Sequence, residues 1–317
     1  MKSKKEINKL IKGLISGNHL ALSKVISIVE NHPEEIPFIM DAIYHSIGKS
    51  HRIGFTGPPG SGKSTIIDGL TRILREKNFS VGILAVDPSS PFTGGAVLGD
   101  RIRMQKHSTD KHVFIRSIGS RGSHGGLSRS TGRILDLFDA AGFDYTIIET
   151  VGVGQTELDI MKFADTTIVI LVPESGDSIQ TMKAGLMEIA DIFVVNKSDR
   201  TGADDTLRYI QNMVEMKGKP SGWRQPAVLT NALNDSGIDK LLTVIEKHNK
   251  YLSQTRGKRA ELREAELKDI LVSEFAFKVE ALLKTEKFKK YIKLTESGKE
   301  SPYSIARKIL SRLLKIS

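Results

Sequence analysis

Gly57-Pro58-Pro59-Gly60-Ser61-Gly62-Lys63-Ser64-Thr65 decides how the rest of the chain is read, because it fits the pattern G-x-x-x-x-G-K-[ST] at every fixed position. Glycines without a Cβ let successive backbone N–H groups point inward around phosphate oxygens, and a following helix offers its positive N-terminal end. The stretch implies a nucleoside triphosphate ligand, with Lys63 reaching the β and γ phosphates and Ser64 ligating Mg²⁺. Its flanks agree. His51 to Thr56 reads as a short strand, and Ser64 to Lys77 carries Ile66, Ile67, Leu70, Ile73 and Leu74 at helical spacing.

A second motif names the base. Asn196-Lys197-Ser198-Asp199 follows the apolar run Ile192 to Val195. A carboxylate at Asp199 can accept two hydrogen bonds from the N1 and N2 edge of guanine, whereas adenine lacks that donor pair. Asn196 is expected to hold the loop together, and Lys197 to lay its stem over the ring. Thr230, Asn231, Ala232 and Leu233 follow the run Pro226 to Leu229 and fall where such proteins contact the base from the other side. The expected ligands are therefore GTP and GDP.

Carboxylates close two further strand-like runs. Asp87 ends Val81 to Val86, and Glu149 ends Tyr145 to Ile148. In an open parallel sheet ligands bind beyond the carboxyl ends of the strands, so both acids are candidate Mg²⁺ ligands. Gly152 could offer its N–H to the γ phosphate with no side chain in the way. Gln155 lies three residues beyond Gly152 rather than immediately after it, which points to weak intrinsic hydrolysis. A partner would then complete the site by ordering loops that carry Arg101, Arg103, Arg121, Gln180 or Lys183.

GPPGSGKST, VDPSSPFTGGAVLGDRIRM, ETVGVGQTELD, PESGDSIQTMKAGLMEIAD and NKSD, taken together, resemble the MeaB/ArgK type of GTPase in the metallochaperone-type branch of the SIMIBI class. The resemblance implies a G-protein chaperone for an adenosylcobalamin-dependent acyl-CoA mutase, typically methylmalonyl-CoA mutase, using GTP to gate cofactor loading and to protect the mutase. It also implies a homodimer. Residue by residue it implies that Lys63, Ser64 and Thr65 belong to the phosphate loop, Asp87 and Asp100 to a first switch with Asp100 near the metal, and Glu149 to a second. Asp177, Gln180 and Lys183 fall in a segment resembling a third switch. Two stretches depart from the family pattern, Pro173-Glu174-Ser175-Gly176 and Ser117 to Arg121.

Period and punctuation divide the 317 residues. Residues 1–50 read as helices, with Leu10, Ile11, Leu14 and Ile15 on one face and Ile36, Phe38, Ile39, Ala42 and Ile43 on another. Residues 51–250 alternate strands and helices. The expected fold is α/β, a P-loop NTPase with a largely parallel sheet flanked by helices and with helical extensions at both ends. Residues 251–317 read as a helical arm with Leu267, Ile270, Leu271, Phe275, Val279 and Leu282 at helical spacing, an element suited to dimerisation.

Composition narrows the function classes. No apolar run approaches the ~20 residues of a membrane span. The chain has no cysteine, which removes disulfides and thiolate metal sites and fits a cytoplasmic protein. Residues 251–317 hold sixteen Lys and Arg against nine Asp and Glu, yet Trp223 and the six tyrosines do not interleave with them in a stacking pattern, so neither nucleic acid nor membrane is expected as a partner. Other classes stay open at this level: a nickel-type metallochaperone GTPase, which would need His ligands here, a transport-associated kinase-like protein, and a nucleotide-loaded scaffold.

Overall fold

The strands β1 (His51–Thr56), β2 (Val81–Asp87), β3 (Val113–Gly119), β4 (Tyr145–Thr150), β5 (Thr166–Leu171), β6 (Ile192–Val195) and β7 (Ala227–Leu229) form a seven-stranded sheet in the order β3-β2-β4-β1-β5-β6-β7. Every pairing is parallel, as in β1 to β4, where Ile53 faces Ile147. The computed structural model describes residues 3–87, 107, 109–119, 129–150, 159–173, 188–216, 222–255 and 257–313. It has two compact units, Met1–Lys258 and Arg259–Ser317.

Strands β4 and β5 are buried at every residue, the pattern of central strands covered on both faces. Alternation then assigns the faces. Ile53, Phe55, Ile147 and Ile168 join the core under α4 (Lys63–Glu76), while Ile148, Val169 and Phe193 join the core on the other side. That second core is closed by α1 (Lys4–Ile15), α2 (His19–Asn31), α3 (Ile36–Ile43), α5 (Arg129–Ala140) and α6 (Ala203–Met216). Helix α7 (Ile238–Gln254) lies with α4, burying Leu241, Leu242 and Ile245.

Helix α1 begins where Ser3 accepts from the Glu6 N–H and the Glu6 carboxylate accepts from the Ser3 N–H, a reciprocal cap. That start puts Ile7, Ile11 and Leu14 on the buried face. The expected face is thus narrower than its edge residues suggested: Ile7 lies along its middle, Leu10 is half-buried, and Ile15 is 42% exposed. In α3 the core takes Ile36, Ile39 and Ile43, whereas Ala42 is exposed.

The link from α3 to β1 is fastened to α5. Asp139 accepts from the backbone N–H groups of Gly48 at 2.6 Å and of Lys49 and Ser50 at 3.0 Å. Arg52 donates to Asp136 at 2.6 Å. Burial alone would lower the Arg52 pKa, but Asp136, Asp139 and Asp165 outweigh it and raise the value, so the guanidinium stays charged.

The second unit carries α8 (Gly257–Leu283) from Arg259 onward, with α9 (Glu286–Glu296) and α10 (Pro302–Leu313). On α8 the expected stripe is only partly covered: Phe275, Val279 and Leu282 are half-buried, while Leu267 and Leu271 are 58% and 61% exposed. Among the described residues no helix is long and apolar enough to cross a membrane.

Candidate functional site

The chain leaves β1 toward β2 and β3, returns to β4 and then crosses to β5 on the other side of β1. Successive connections therefore diverge beside β1, and a crevice opens at the carboxyl ends of the strands there. Gly57 to Gly62 occupy that position, and α4 begins at Lys63. Gly62 has φ 92° and precedes α4, and a Cβ there would overlap the Asn196 side-chain amide. Gly57, with φ 144°, lies so close to Ile170 that a Cβ would overlap its carbonyl. Both glycines are thus required by close approach as well as by backbone conformation.

Pro58, Pro59 and Gly60 form the outer bend of the loop, and Gly60 has φ 73° with open space around it. The Lys63 ammonium folds back into the loop, donating to the carbonyls of Gly57 at 2.7 Å and Pro58 at 3.1 Å. It is 7% exposed, so a cation sits inside the ring of loop amides. Thr65 continues the first turn of α4.

Ser64 donates its hydroxyl to Glu149 Oε1 at 2.6 Å. Ser64 is 8% exposed and Glu149 1%. Two residues 85 apart in sequence thus place two hard oxygen donors side by side at the start of α4, a donor set that suits Mg²⁺. Asp87 closes β2, next to β4 in the sheet, and its backbone pairs with Gly119. Asp100, Gly152, Gln155, Gln180 and Lys183, with Arg101, Arg103 and Arg121, lie outside the described residues.

The second motif reaches the first through one side chain. Asn196, 3% exposed, donates from Nδ2 to the Ser61 carbonyl at 2.8 Å. Its Oδ1 accepts from the Thr230 hydroxyl at 3.0 Å and from the Ala232 N–H at 3.1 Å. One buried amide therefore joins the loop after β1, the loop after β6 and the loop after β7. Lys197 adopts φ 58°, which turns the chain so that Asp199 is exposed beyond it. Asn231 Oδ1 accepts from the Leu233 N–H at 3.3 Å, Ala232 is buried, and Leu233 projects with 86% exposure. Arg72 of α4 reaches Asp235 at 2.9 Å and ties the same loop to the helix.

Thr230 opens the stretch expected to contact the base, and its side chain turns to Asn196. Its hydroxyl orients the Asn196 amide, and a threonine at a strand end carries no sequence signal of such a partner 34 residues away. Among the described residues no three His, Asp or Glu side chains gather as a metal site. A groove of about 350 Å³ lined by Ile7, Leu20, Lys24 and Ile28 lies on the N-terminal helices and includes no residue of the loops described above.

The sequence profile of the family described as Methylmalonyl Co-A mutase-associated GTPase MeaB matches residues 21–286. The chain belongs to the MeaB family. It is a P-loop GTPase family, and its members among known proteins match this chain over most of their length. A Pyrococcus horikoshii relative, provisionally named as a GTPase, is 46% identical over 315 residues, 97% of this chain and 98% of the relative. GTPase ArgK of Escherichia coli is 38% identical over 242 residues, 73% of this chain and 72% of ArgK. The mouse protein named methylmalonic aciduria type A homolog, mitochondrial, is 31% identical over 258 residues, 76% of this chain and 62% of the mouse protein. A solved structure named LAO/AO transport system kinase has a TM-score of 0.71 at 26% identity, over 99% of both chains. MeaB membership carries with it guanine-nucleotide binding at the level of the family.

Proposed function

We propose that this MeaB-family chain binds GTP with Mg²⁺ and uses its hydrolysis to assist assembly, cofactor loading and protection of an adenosylcobalamin-dependent acyl-CoA mutase of the methylmalonyl-CoA mutase type. The observation that carries the proposal is the Asn196 amide, which holds the NKSD loop against the phosphate loop in a chain that matches the MeaB profile over residues 21–286. The mutase half of the proposal is supported by the family's own description and by the mouse relative's name.

In this reading Gly57 to Thr65 wrap the phosphates with backbone N–H groups, and Lys63 exchanges its two loop carbonyls for phosphate oxygens. Asp199 accepts from the guanine N1 and N2 edge, Lys197 covers one face of the ring, and Ala232 and Leu233 bound it from the other side. Ser64 and Glu149, with Asp87 and Asp100, would hold Mg²⁺, which when bound neutralises charge on the β and γ phosphates. To serve it, Ser64 turns its hydroxyl proton away from Glu149, so the 2.6 Å bond between them must open. Gly152 is assigned to the γ phosphate, and Gln155, Gln180 and Lys183 to the hydrolytic step, with a partner completing the site. One ordered cation can be worth ~10³ to 10⁵ in rate, so a slow intrinsic rate and partner stimulation fit together.

The helical arm of residues 251–317 is assigned to homodimerisation, supported by the exposed Leu267, Ile270 and Leu271 on α8. The setting is cytoplasmic. The experiment measures GTP turnover alone and with candidate cobalamin-dependent mutases, together with co-purification under GDP and a non-hydrolysable GTP analogue. Faster turnover and nucleotide-sensitive binding with one mutase are expected. Equal rates and no binding to any would defeat the chaperone reading, and phosphate appearing on a protein acceptor instead of in water would favour the kinase reading.

A further inference from the structure

At the amino ends of β1 and β5, opposite the phosphate loop, buried side chains form a single relay. His51 Nε2 lies 2.9 Å from Thr166 Oγ1, which lies 2.8 Å from His248 Nδ1 on α7. His248 Nε2 is 3.6 Å from Asp191 Oδ1. An Asp, a His and a Thr in this order can activate a nucleophile elsewhere, but Thr166 is 0% exposed and no substrate can reach it. What the relay does, it does to the protein itself.

Asp191 is the residue before β6, and it is held from several sides. Its carboxylate accepts from the Thr167 N–H at 2.8 Å, and its carbonyl accepts from the Trp223 indole at 2.8 Å. The indole lies against the His248 ring with centroids 4.7 Å apart. Gln225 donates to the Ala190 carbonyl at 2.7 Å. Trp223 and Gln225 lead into β7. The cluster thus fixes the starts of β6 and β7, short strands of four and three residues whose far ends deliver Asn196, Asp199, Thr230 and Ala232.

Proton count links the two ends. Taken with its proton on Nε2, His248 faces the Asp191 carboxylate at 3.6 Å, a charge contact longer than a hydrogen bond. With the ring neutral, Nδ1 takes the Thr166 O–H, and the Thr166 oxygen takes a proton from His51 Nε2. A second proton on His248 makes Nδ1 a donor, which turns the Thr166 O–H toward His51 and requires His51 to shift its own proton to Nδ1. The new charge sits beside Asp191 and Trp223. Among the described contacts, Tyr251 on α7 is stacked on His248 at 6.2 Å, and Tyr145 on β4 lies 6.0 Å from His51, its pKa raised by burial first and then by Glu246 and Asp144. Glu246 in turn lies 3.6 Å from Lys77 of α4.

We propose that His248 is a positioning residue for the base loops, and that its protonation is linked to guanine-nucleotide binding at the opposite ends of β6 and β7. This rests on the reading that those loops hold guanine. Linkage is reciprocal: whatever the proton does to nucleotide affinity, the nucleotide does to proton affinity.

Trp223 is the single tryptophan of the chain, so its emission reports the cluster. The full-length protein is titrated from about pH 5.5 to about pH 8.5, with and without saturating GDP, as wild type, His248→Gln and Thr166→Val. An imidazolium quenches a touching indole more than a neutral ring does. The wild type is expected to show one transition, displaced by ~0.5 pH unit or more by GDP, equal to roughly a threefold change in GDP affinity across it. His248→Gln abolishes the transition, and Thr166→Val, which keeps the shape of the side chain, moves it. A flat wild-type curve, a transition that survives His248→Gln, or identical curves with and without GDP overturns the proposal. Calorimetry with GDP near pH 8 separates the cases: GDP that binds without moving the transition sinks only the linkage, and GDP that does not bind sinks the nucleotide reading with it.

Discussion

Replacing Asn196 by alanine tests whether one amide holds the site together. The substitution removes the donor to the Ser61 carbonyl and the acceptor of both the Thr230 hydroxyl and the Ala232 N–H. Thr230 is 1% exposed and Ala232 7%, so water cannot replace the lost oxygen without a rearrangement. A buried donor left unmade costs about 1–3 kcal/mol, and two of them put the loss at roughly 2–6 kcal/mol before any nucleotide is added. For a unit of this size that is a fall in Tm of roughly 4–24 °C. Thr230→Val is the calibrating variant. It removes only the hydroxyl, leaves Asn196 Oδ1 with the Ala232 N–H, and is expected to cost about 1 kcal/mol. Because both changes remove the same bond, the double variant is expected to lose less than the sum. The assay is thermal unfolding without nucleotide, followed by GDP titration calorimetry at a temperature where each variant is folded. GDP affinity is expected to fall more than tenfold for Asn196→Ala, since both loops lose their common anchor. A Tm within about 2 °C of the Thr230→Val variant, with GDP affinity unchanged, would refute the idea that the three loops are joined there.

Other perturbations give sharper signs. Gly62→Ala places a Cβ on the Asn196 amide at φ 92°, and equilibrium dialysis should find at least ~10-fold weaker GDP binding in a chain that still folds. Asp199→Asn should lower the preference for GDP over ADP by about 10- to 100-fold, measured by competition, while leaving triphosphate contacts in place. Asp139→Ala removes the acceptor of three backbone N–H groups and should destabilise the first unit by roughly 2–4 kcal/mol in urea unfolding. His19 lies 5.2 Å from Phe114, and burial, with His112 adding to it, lowers its pKa from 6.5. The folded chain then binds that proton more weakly than the unfolded chain, so its stability falls as pH drops from about 6.5 through the folded value. Urea midpoints near pH 5 and pH 7.5 should differ less in His19→Leu.

What the sequence disclosed follows from how local each requirement is. The phosphate loop was legible because positive φ, close backbone approach and a lysine at a fixed offset are all demands on consecutive residues. The parallel sheet was legible because strands buried on both faces are continuous apolar runs, as in Ile168 to Leu171. Only the edges of the α1 face were misjudged: Ile7, Ile11 and Leu14 lie along the middle of the stripe that Leu10, Ile11, Leu14 and Ile15 mark, and packing against α2 and α3 decides how far round the helix burial reaches. Burial of the α8 stripe could not be judged from spacing either, since period specifies a face and not its neighbour.

The joints of the site are the part that no window of sequence contains. Ser64 meets Glu149 across 85 residues, and Asn196 meets Ser61 across 135. Each pair is created by strand order, because β4 lies beside β1 and β6 follows β5, so motifs far apart in the chain end on one edge of one sheet. It follows that the affinity of the base loop is not a property of NKSD alone. The strands behind it are only four and three residues long, so a displacement at their starts has little length over which to relax before it reaches Asn196 and Ala232. Insertion of a single residue between Trp223 and β7, far from any expected nucleotide atom, should therefore weaken GDP binding more than an insertion of equal length in the exposed turn at Gly142, where a Cβ meets nothing within 4 Å. Equal effects in GDP calorimetry would mean that the base loop is set by its own side chains, and that the sheet behind it is only a support.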